Sequence, residues 1–406
     1  METSVYRIGN ICSIKSGKRL PAGFDFSVEP TQYKYIRSRD IKAGKIYLDD
    51  VAFIDEEIKK RINKYIINTG DVAITIVANI GDIGYATPDC DGINLTENAV
   101  RLTAFDGTVV CSKYLSYYLK QPAMKTYMEN LAAGAAQAKL GIYKIEKMKV
   151  QLPDVSIQKA VVDIIEKYDN LIEVNNKRIK VLEQMAENLY KEWFVRFRFP
   201  GHETAEFENG LPKGWERNRI SKYYQTSSGG TPSRENEDNY EDGTIPWIKT
   251  GEMQDCLLID TEEYITEIAI KTSFAKLFPP NSVLMAMYGV NIGKLAYSTM
   301  EATCNQACCV FKDKETINSK HYLFQYLKSI REYLLLIGFG AAQQNLSQDL
   351  IKQVKIVRPD NDTMIRFENA VEPLYQEMKR LLTTNANLIN QRDLLLPRLM
   401  SGKLEV

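Results

Sequence analysis

Between Lys15 and Lys45 the chain carries eight cations (Lys15, Lys18, Arg19, Lys34, Arg37, Arg39, Lys42 and Lys45) against three acids, Asp25, Glu29 and Asp40. Two of these cations follow small residues in Ser16-Gly17-Lys18-Arg19, a spacing that lets backbone and side chains approach one anion together. Arg37 and Arg39 flank Ser38, and in an extended stretch both project from one face. Further along, Ser228-Gly229-Gly230-Thr231-Pro232-Ser233-Arg234 offers hydroxyls, backbone donors and a guanidinium, with Lys249 following in Trp247-Ile248-Lys249. Gln137 lies in Gly134-Ala135-Ala136-Gln137-Ala138-Lys139-Leu140, and Gln343 and Gln344 lie in Gly340-Ala341-Ala342-Gln343-Gln344-Asn345-Leu346. An amide in a glycine-opened loop can bond an adenine edge bidentately. The chemistry these types support is recognition of phosphates and base edges, with no covalent step.

Catalytic signatures are missing from the sequence. There are two histidines, His202 and His321, and no Cys-x-x-Cys pair among seven cysteines, so a zinc site would be mostly thiolate. Cys304, Cys308 and Cys309 are expected instead as small buried residues around the strand Ala307-Cys308-Cys309-Val310-Phe311. Gly289-Val290-Asn291-Ile292-Gly293-Lys294-Leu295 is too short for a phosphate loop, and it has Leu where a magnesium-binding hydroxyl is needed. Neither a dinucleotide fingerprint nor a Gly-x-Ser-x-Gly elbow occurs. No catalytic or metal-ligating residues are therefore expected. The formal charge balances at 52 against 52, yet residues 1–155 carry +3 and residues 201–360 carry −4. A blanket phosphate binder would be basic throughout.

An internal repeat sets where these residues stand. Gly134-Ala135-Ala136-Gln137 returns 206 residues later as Gly340-Ala341-Ala342-Gln343, and Pro153-Asp154 returns at the same offset as Pro359-Asp360. Asn79-Ile80-Gly81 returns as Asn291-Ile292-Gly293, with Tyr85 and Tyr297 following, and Tyr114-Leu115 through Lys120 returns as Tyr322-Leu323 through Lys328. Matches in one order indicate a tandem duplication. Each copy begins with β-branched runs (72–77 and 283–287) and continues into helical stretches (114–130 and 320–337). The fold class is α/β (α+β), a tandem pseudo-twofold repeat of two similar domains.

Each copy closes on a long helix. The seam Val161, Ile165, Tyr168, Ile172, Asn175, Ile179, Leu182, Ala186, Leu189, Trp193 alternates steps of four and three, the coiled-coil period. Shifted by 206, it reads Phe367, Val371, Leu374, Met378, Leu381, Asn385, Leu388, Arg392, Leu395, Leu399. Ser156 and Asp362 are placed to cap the two helices, Pro373 to kink the second, and Pro397 to end or kink it. Two such stripes in one chain bury best against each other as an antiparallel pair. A helix of about forty residues is roughly 60 Å long, a ruler between two domains. Asn175 and Asn385 fall on the seam, either fixing its register or facing solvent at its edge. The division expected is 1–155, a first recognition domain; 156–200, a central helix; 201–360, a second domain; and 361–406, a C-terminal helix.

Several segments taken together resemble the specificity (S) subunits of type I restriction–modification systems over essentially the whole chain. They are Ser228 to Arg234, Tyr35-Ile36-Arg37-Ser38-Arg39-Asp40-Ile41, Gly70-Asp71-Val72-Ala73-Ile74-Thr75 with Asn79-Ile80-Gly81, the Gly-Ala-Ala-Gln loops, the Pro-Asp before each long helix, and Trp193-Phe194-Val195. The resemblance implies two target-recognition domains, each reading one half of a bipartite, asymmetric site in double-stranded DNA. It implies that the helices set the unread spacer and dock methyltransferase (M) subunits, two in number, that hold S-adenosylmethionine and modify adenine. Restriction (R) subunits using ATP and magnesium would complete the assembly. The chain itself is then a non-catalytic, cytoplasmic protein without a cofactor of its own. No leader and no apolar run of about twenty residues points to a membrane. The competing readings are a stand-alone DNA methyltransferase or nuclease, a coiled-coil scaffold for other proteins, and a DNA-binding regulator unconnected with modification.

Overall fold

A computed structural model of the chain describes residues 2–133, 138–314, 319–338 and 345–404. It divides into two compact units, residues 1–170 with 389–406, and residues 171–388.

In the first unit the continuous apolar run at Val72–Thr75 is buried throughout, as a strand covered on both faces requires. It lies inside a six-stranded sheet ordered Ser13–Ser16, Ala99–Thr103, Val72–Thr75, Ile83–Tyr85, Gly44–Ile46, Ile41–Lys42. A four-stranded sheet is ordered Ala52–Ile54, Tyr33–Ile36, Ile93–Leu95, Ile66–Ile67. The second unit repeats the pattern. Its larger sheet runs Tyr224–Ser228, Cys308–Asp313, Ser282–Ala286, Leu295–Ser298, Cys256–Leu258, and its smaller one Tyr264–Ile265, Ile245–Ile248, Thr303–Cys304. Even the parallel pairing of Gly44–Ile46 with Ile83–Tyr85 has its match in Cys256–Leu258 with Leu295–Ser298. A two-stranded ribbon ties the start of each copy to its end, Ser4–Arg7 with Lys149–Leu152 and Glu216–Arg219 with Lys355–Arg358.

The helical stretch expected at 114–130 is two helices, Ser112–Lys120 and Pro122–Ala132. Gln121, at ψ 142°, leaves the helical region because Pro122 disfavours it there, and Pro122 then starts the next helix. The stretch at 320–337 likewise splits, into Lys320–Ser329 and Arg331–Gly338.

The long helices span Val155–Tyr190, continued by a wider turn at Lys191–Val195, and Asn361–Met400. Their caps differ from expectation. Ser156 lies inside the first helix, and the Asp154 carboxylate accepts from its backbone N–H (2.8 Å) and hydroxyl (2.6 Å). In the second, Asp360 rather than Asp362 accepts from the Thr363 backbone N–H (2.9 Å) and hydroxyl (2.7 Å). The helix also runs unbroken through Pro373 and three residues past Pro397. Each proline frees the carbonyl four residues earlier, at Asn369 and Asp393, and both of those residues are exposed, so water can satisfy the freed groups.

Each unit buries its own part of the seam. In the first, Ile165 packs in one core with Leu396 and Leu399, with Leu395 at the margin, and Arg392 bonds Asp169 (2.7 Å). In the second, Ile172, Ile179, Met378 and Leu381 are buried, Leu182, Leu189 and Leu374 pack at the margin, and Leu388 is half-buried. There the Asn175 amide donates to Asn385 (2.8 Å), Asn385 donates to Asn176 (2.9 Å), and Arg178 pairs with Glu377 (2.9 Å). Partners of rising number on one helix and falling number on the other make this pairing antiparallel. Both seam asparagines are buried against each other rather than at a solvent edge. Among the described residues, no helix is long and apolar enough to cross a membrane.

Candidate nucleic-acid interface

Four turns meet at the same corner of the larger sheet in each unit, and one set of hydrogen bonds holds them. After the strand Ser13–Ser16, Gly17 passes so close to its neighbours that a Cβ there would stand 2.0 Å from the Thr96 carbonyl oxygen; after Tyr224–Ser228, a Cβ on Gly229 would stand 1.7 Å from that of Cys304. Only glycine allows this approach. The next amide is tied down in both copies, Lys18 to the Leu95 carbonyl (2.8 Å) and Gly230 to that of Cys304 (3.0 Å). Its own carbonyl accepts from an aromatic side chain, from the Tyr35 hydroxyl (2.7 Å) in one unit and the Trp247 indole (3.0 Å) in the other. Burial pushes the Tyr35 phenol up to about 12, which keeps it a donor.

The facing turn is anchored equivalently. Thr96 and Asn305 donate to the Ile36 and Ile248 carbonyls (3.0 Å each), while Asn98 and Ala307 accept from Ile76 and Met287 (2.8 Å each). Ile76 and Met287 in turn accept from Leu140 (3.0 Å) and Leu346 (2.7 Å), which brings the ends of the Gly-Ala-Ala-Gln segments to the same corner. Gln137, Gln343 and Gln344 themselves lie outside the described residues. Lys139, just beyond them, is exposed and bridged to Val77.

The candidate residues divide by what already neutralises them. Lys15, Ser16, Lys18 and Arg19 are exposed together at this corner. Among the described residues Lys15 and Arg19 make no ion pair, and the Lys18 ammonium rests 5.7 Å from the Tyr65 ring centre. Lys42 is not part of the group. It lies on the opposite edge strand of the six-stranded sheet, over Tyr47. Arg37 and Arg39 do not share an extended face either. Asp40 accepts from the Arg37 backbone N–H (2.8 Å) and folds Ser38–Asp40 into a 3-10 turn. Arg37 then pairs with Asp40 (3.1 Å), and Arg39 with Asp50 (3.0 Å).

In the second unit Ser228 is half-buried on its strand, the Thr231 hydroxyl donates to Gln306, and Ser233 accepts from the Glu235 backbone (3.3 Å). Arg234 stacks on Tyr240 (4.2 Å) and bonds Glu263, which also takes the Lys249 ammonium (2.7 Å). That bond, first among its causes, holds Lys249 above the usual lysine range, and the same contact holds Glu263 below the usual carboxylate range. The −4 charge of this copy thus includes acids that cover its cations. Among the described residues no group of three or more metal-ligating side chains occurs. His321 is buried, its Nδ1 bonded to Glu368 (2.7 Å), and all seven cysteines are free thiols.

Sequence reasoning missed Glu97 and Gln306, the middle residues of the facing turn; nothing in their local sequence marks them. A test of the clasp follows from the glycine. Gly229→Ala is expected to cost about 1–3 kcal/mol by overpacking and to abolish whatever binding the corner supports. Gly251→Ala, with nothing within 4 Å of its added methyl, should do neither. Thermal melting of the two purified variants checks this.

Comparison with known proteins adds three findings. The family described as "Type I restriction modification DNA specificity domain" matches residues 2–184 and 212–364. The MjaIX specificity subunit of Methanocaldococcus jannaschii is 25% identical, covering 87% of this chain and 82% of the relative; the HindI specificity subunit of Haemophilus influenzae is 23% identical, covering 98% and 99%. The crystal structure of a type I restriction–modification S subunit from M. genitalium shares the fold, with a TM-score of 0.61 at 13% identity over 98% of this chain and 96% of that one.

Proposed function

Because the chain belongs to the family of type I restriction–modification DNA specificity subunits, we propose that its two clasped corners read the two halves of a bipartite, asymmetric DNA site. The observation that carries this reading is one backbone scaffold built twice with different side chains at its tip. Identical readers would select a palindrome, whereas two diverged readers select two different half-sites. Exposed cations in the first copy supply phosphate affinity, while in the second they are held by Glu262 and Glu263. The first domain therefore carries more of the salt-dependent binding.

The helices contribute to both units and in this reading set the unread spacer. They also dock two methyltransferase subunits. An apolar groove lined by Val174, Val181 and Leu182, with Arg178 and Glu377 at its rim, suits such a partner. S-adenosylmethionine, ATP and magnesium belong to the M and R subunits, and the specificity chain acts without catalysis in the cytoplasm. Single-molecule methylome sequencing of the host, with and without the gene, tests the reading. A bipartite adenine-methylated motif should vanish on deletion, and exchanging residues 201–360 for a related domain should change one half only. An unchanged methylome on deletion would refute it.

A further inference from the structure

The two clasps share the anchoring bonds described above and differ in the side chains they carry. Where the first copy has Lys18-Arg19, the second has Gly230-Thr231; where the first has Glu97, the second has Gln306. Glu97 lies between Thr96 and Asn98, and Gln306 between Asn305 and Ala307, each pair pinned by the matched bonds described above. The turn's backbone bonds repeat, while the side chain at its middle position changes from a carboxylate to an amide.

Gln306 is exposed, and its amide is not loose. The Oε1 atom accepts from the Thr231 hydroxyl, on the loop whose preceding carbonyl is held by Trp247. From inside the turn, the Asn305 carbonyl oxygen of the side chain accepts from the Ala307 amide (3.1 Å) and the Cys308 thiol (3.1 Å). A planar amide is thus presented in one orientation, with its amino group and a remaining lone pair available. In the first copy Glu97 is half-buried, and its carboxylate accepts from the Thr96 hydroxyl (3.2 Å). This leaves acceptors and no donor.

We propose that Gln306 and Glu97 are equivalent specificity-determining residues, one in each half-site. Gln306 takes an adenine edge bidentately, and Glu97 accepts from the amino group of a cytosine. The proposal rests on the DNA-reading function above, and the two fail separately.

The test uses the native locus, with the restriction gene deleted so that altered specificity is not lethal, and reads the methylome of Gln306→Glu, Glu97→Gln and Gln306→Ala. Gln306→Glu should lower methylation of the original sites by about 10- to 100-fold and raise it at sites carrying cytosine at a single position of one half. Glu97→Gln should move a single position of the other half. Gln306→Ala should relax that position without selecting a new base, while the melting temperature of the purified chain stays unchanged. The proposal is overturned if the exchanged variants methylate the wild-type motif at wild-type efficiency. Equal loss at every site, accompanied by a lower melting temperature, would also overturn it and make these residues structural. A wild-type gene whose deletion erases no motif defeats the DNA-reading function itself, and the proposal with it.

Discussion

Phe194→Ala is expected to lower the unfolding free energy of the second unit by about 3–5 kcal/mol, the range for removing a buried aromatic ring. Phe194 stands where the first long helix gives way to a wider turn, and it is 8% exposed. Its ring meets Tyr322 edge-on at 4.7 Å and Phe367 at 4.8 Å, with Trp215 and Tyr190 within 5.7 Å. These partners come from the second long helix, the helix Lys320–Ser329, the segment before Glu216–Arg219 and the first long helix itself. One truncation therefore loosens four elements at once, and a cavity between rigid rings closes poorly. Denaturant unfolding followed by tryptophan emission reads this site directly, because Trp193 and Trp215 both touch the ring. Phe207→Ala provides the contrast. Phe207 is 52% exposed and stacks only on Phe197 among the described residues, and its loss should cost well under about 1 kcal/mol.

The difference between those two phenylalanines shows what a linear reading can and cannot supply. The seam from Val161 to Trp193 is periodic, and periodicity is a local property, so the helix pair and its antiparallel sense are legible from residues alone. The duplication is legible for the same reason. Ion-pair choice is not local. Arg37 and Arg39 look like one basic face until Asp40 folds the turn and Asp50 takes the guanidinium of Arg39, and Lys249 looks free until Glu262 and Glu263 reach it from the loop before the strand Tyr264–Ile265. Glu97 and Gln306 were invisible because any polar residue can occupy a turn. Only superposing one copy's backbone bonds on the other's marks them as the same position. The helix caps fall between these cases. The Pro-Asp pair was visible at both helix starts, but its role as the cap appears only when the Asp154 and Asp360 carboxylates are seen accepting from the first turn.

Arg392 is the charged residue of the seam, and its consequence is a pH-dependent stability. The Arg392 guanidinium bonds Asp169 (2.7 Å), the Tyr117 hydroxyl donates to the same carboxylate (2.7 Å), and both members of the ion pair are largely buried. Burial alone would raise the Asp169 pKa, but the Tyr117 and Arg392 bonds outweigh it and hold the carboxyl below its ordinary value. Burial, reinforced by that carboxylate, keeps the Tyr117 phenol far above its own range and therefore protonated as donor. A carboxyl depressed in the folded state contributes fully above its unfolded pKa of about 3.9 and loses its contribution as pH falls through the folded value. Asp169→Asn is accordingly expected to cost about 3–5 kcal/mol at pH 7, since it strands a buried guanidinium. Asp393, 2.8 Å from the same guanidinium but half exposed, places the result at the lower end. The gap between wild type and variant should narrow as pH is lowered from about 5 toward 3, because the unfolded carboxylate takes up its proton first while the folded one, held lower, stays ionised. Arg392→Met in the Asp169→Asn background should recover most of the loss, as an apolar seam residue facing a neutral amide leaves no unpaired charge. A constant gap across that pH range, or a double variant as unstable as Asp169→Asn alone, would assign the cost to packing instead of charge. Paired melting curves at each pH decide between the two.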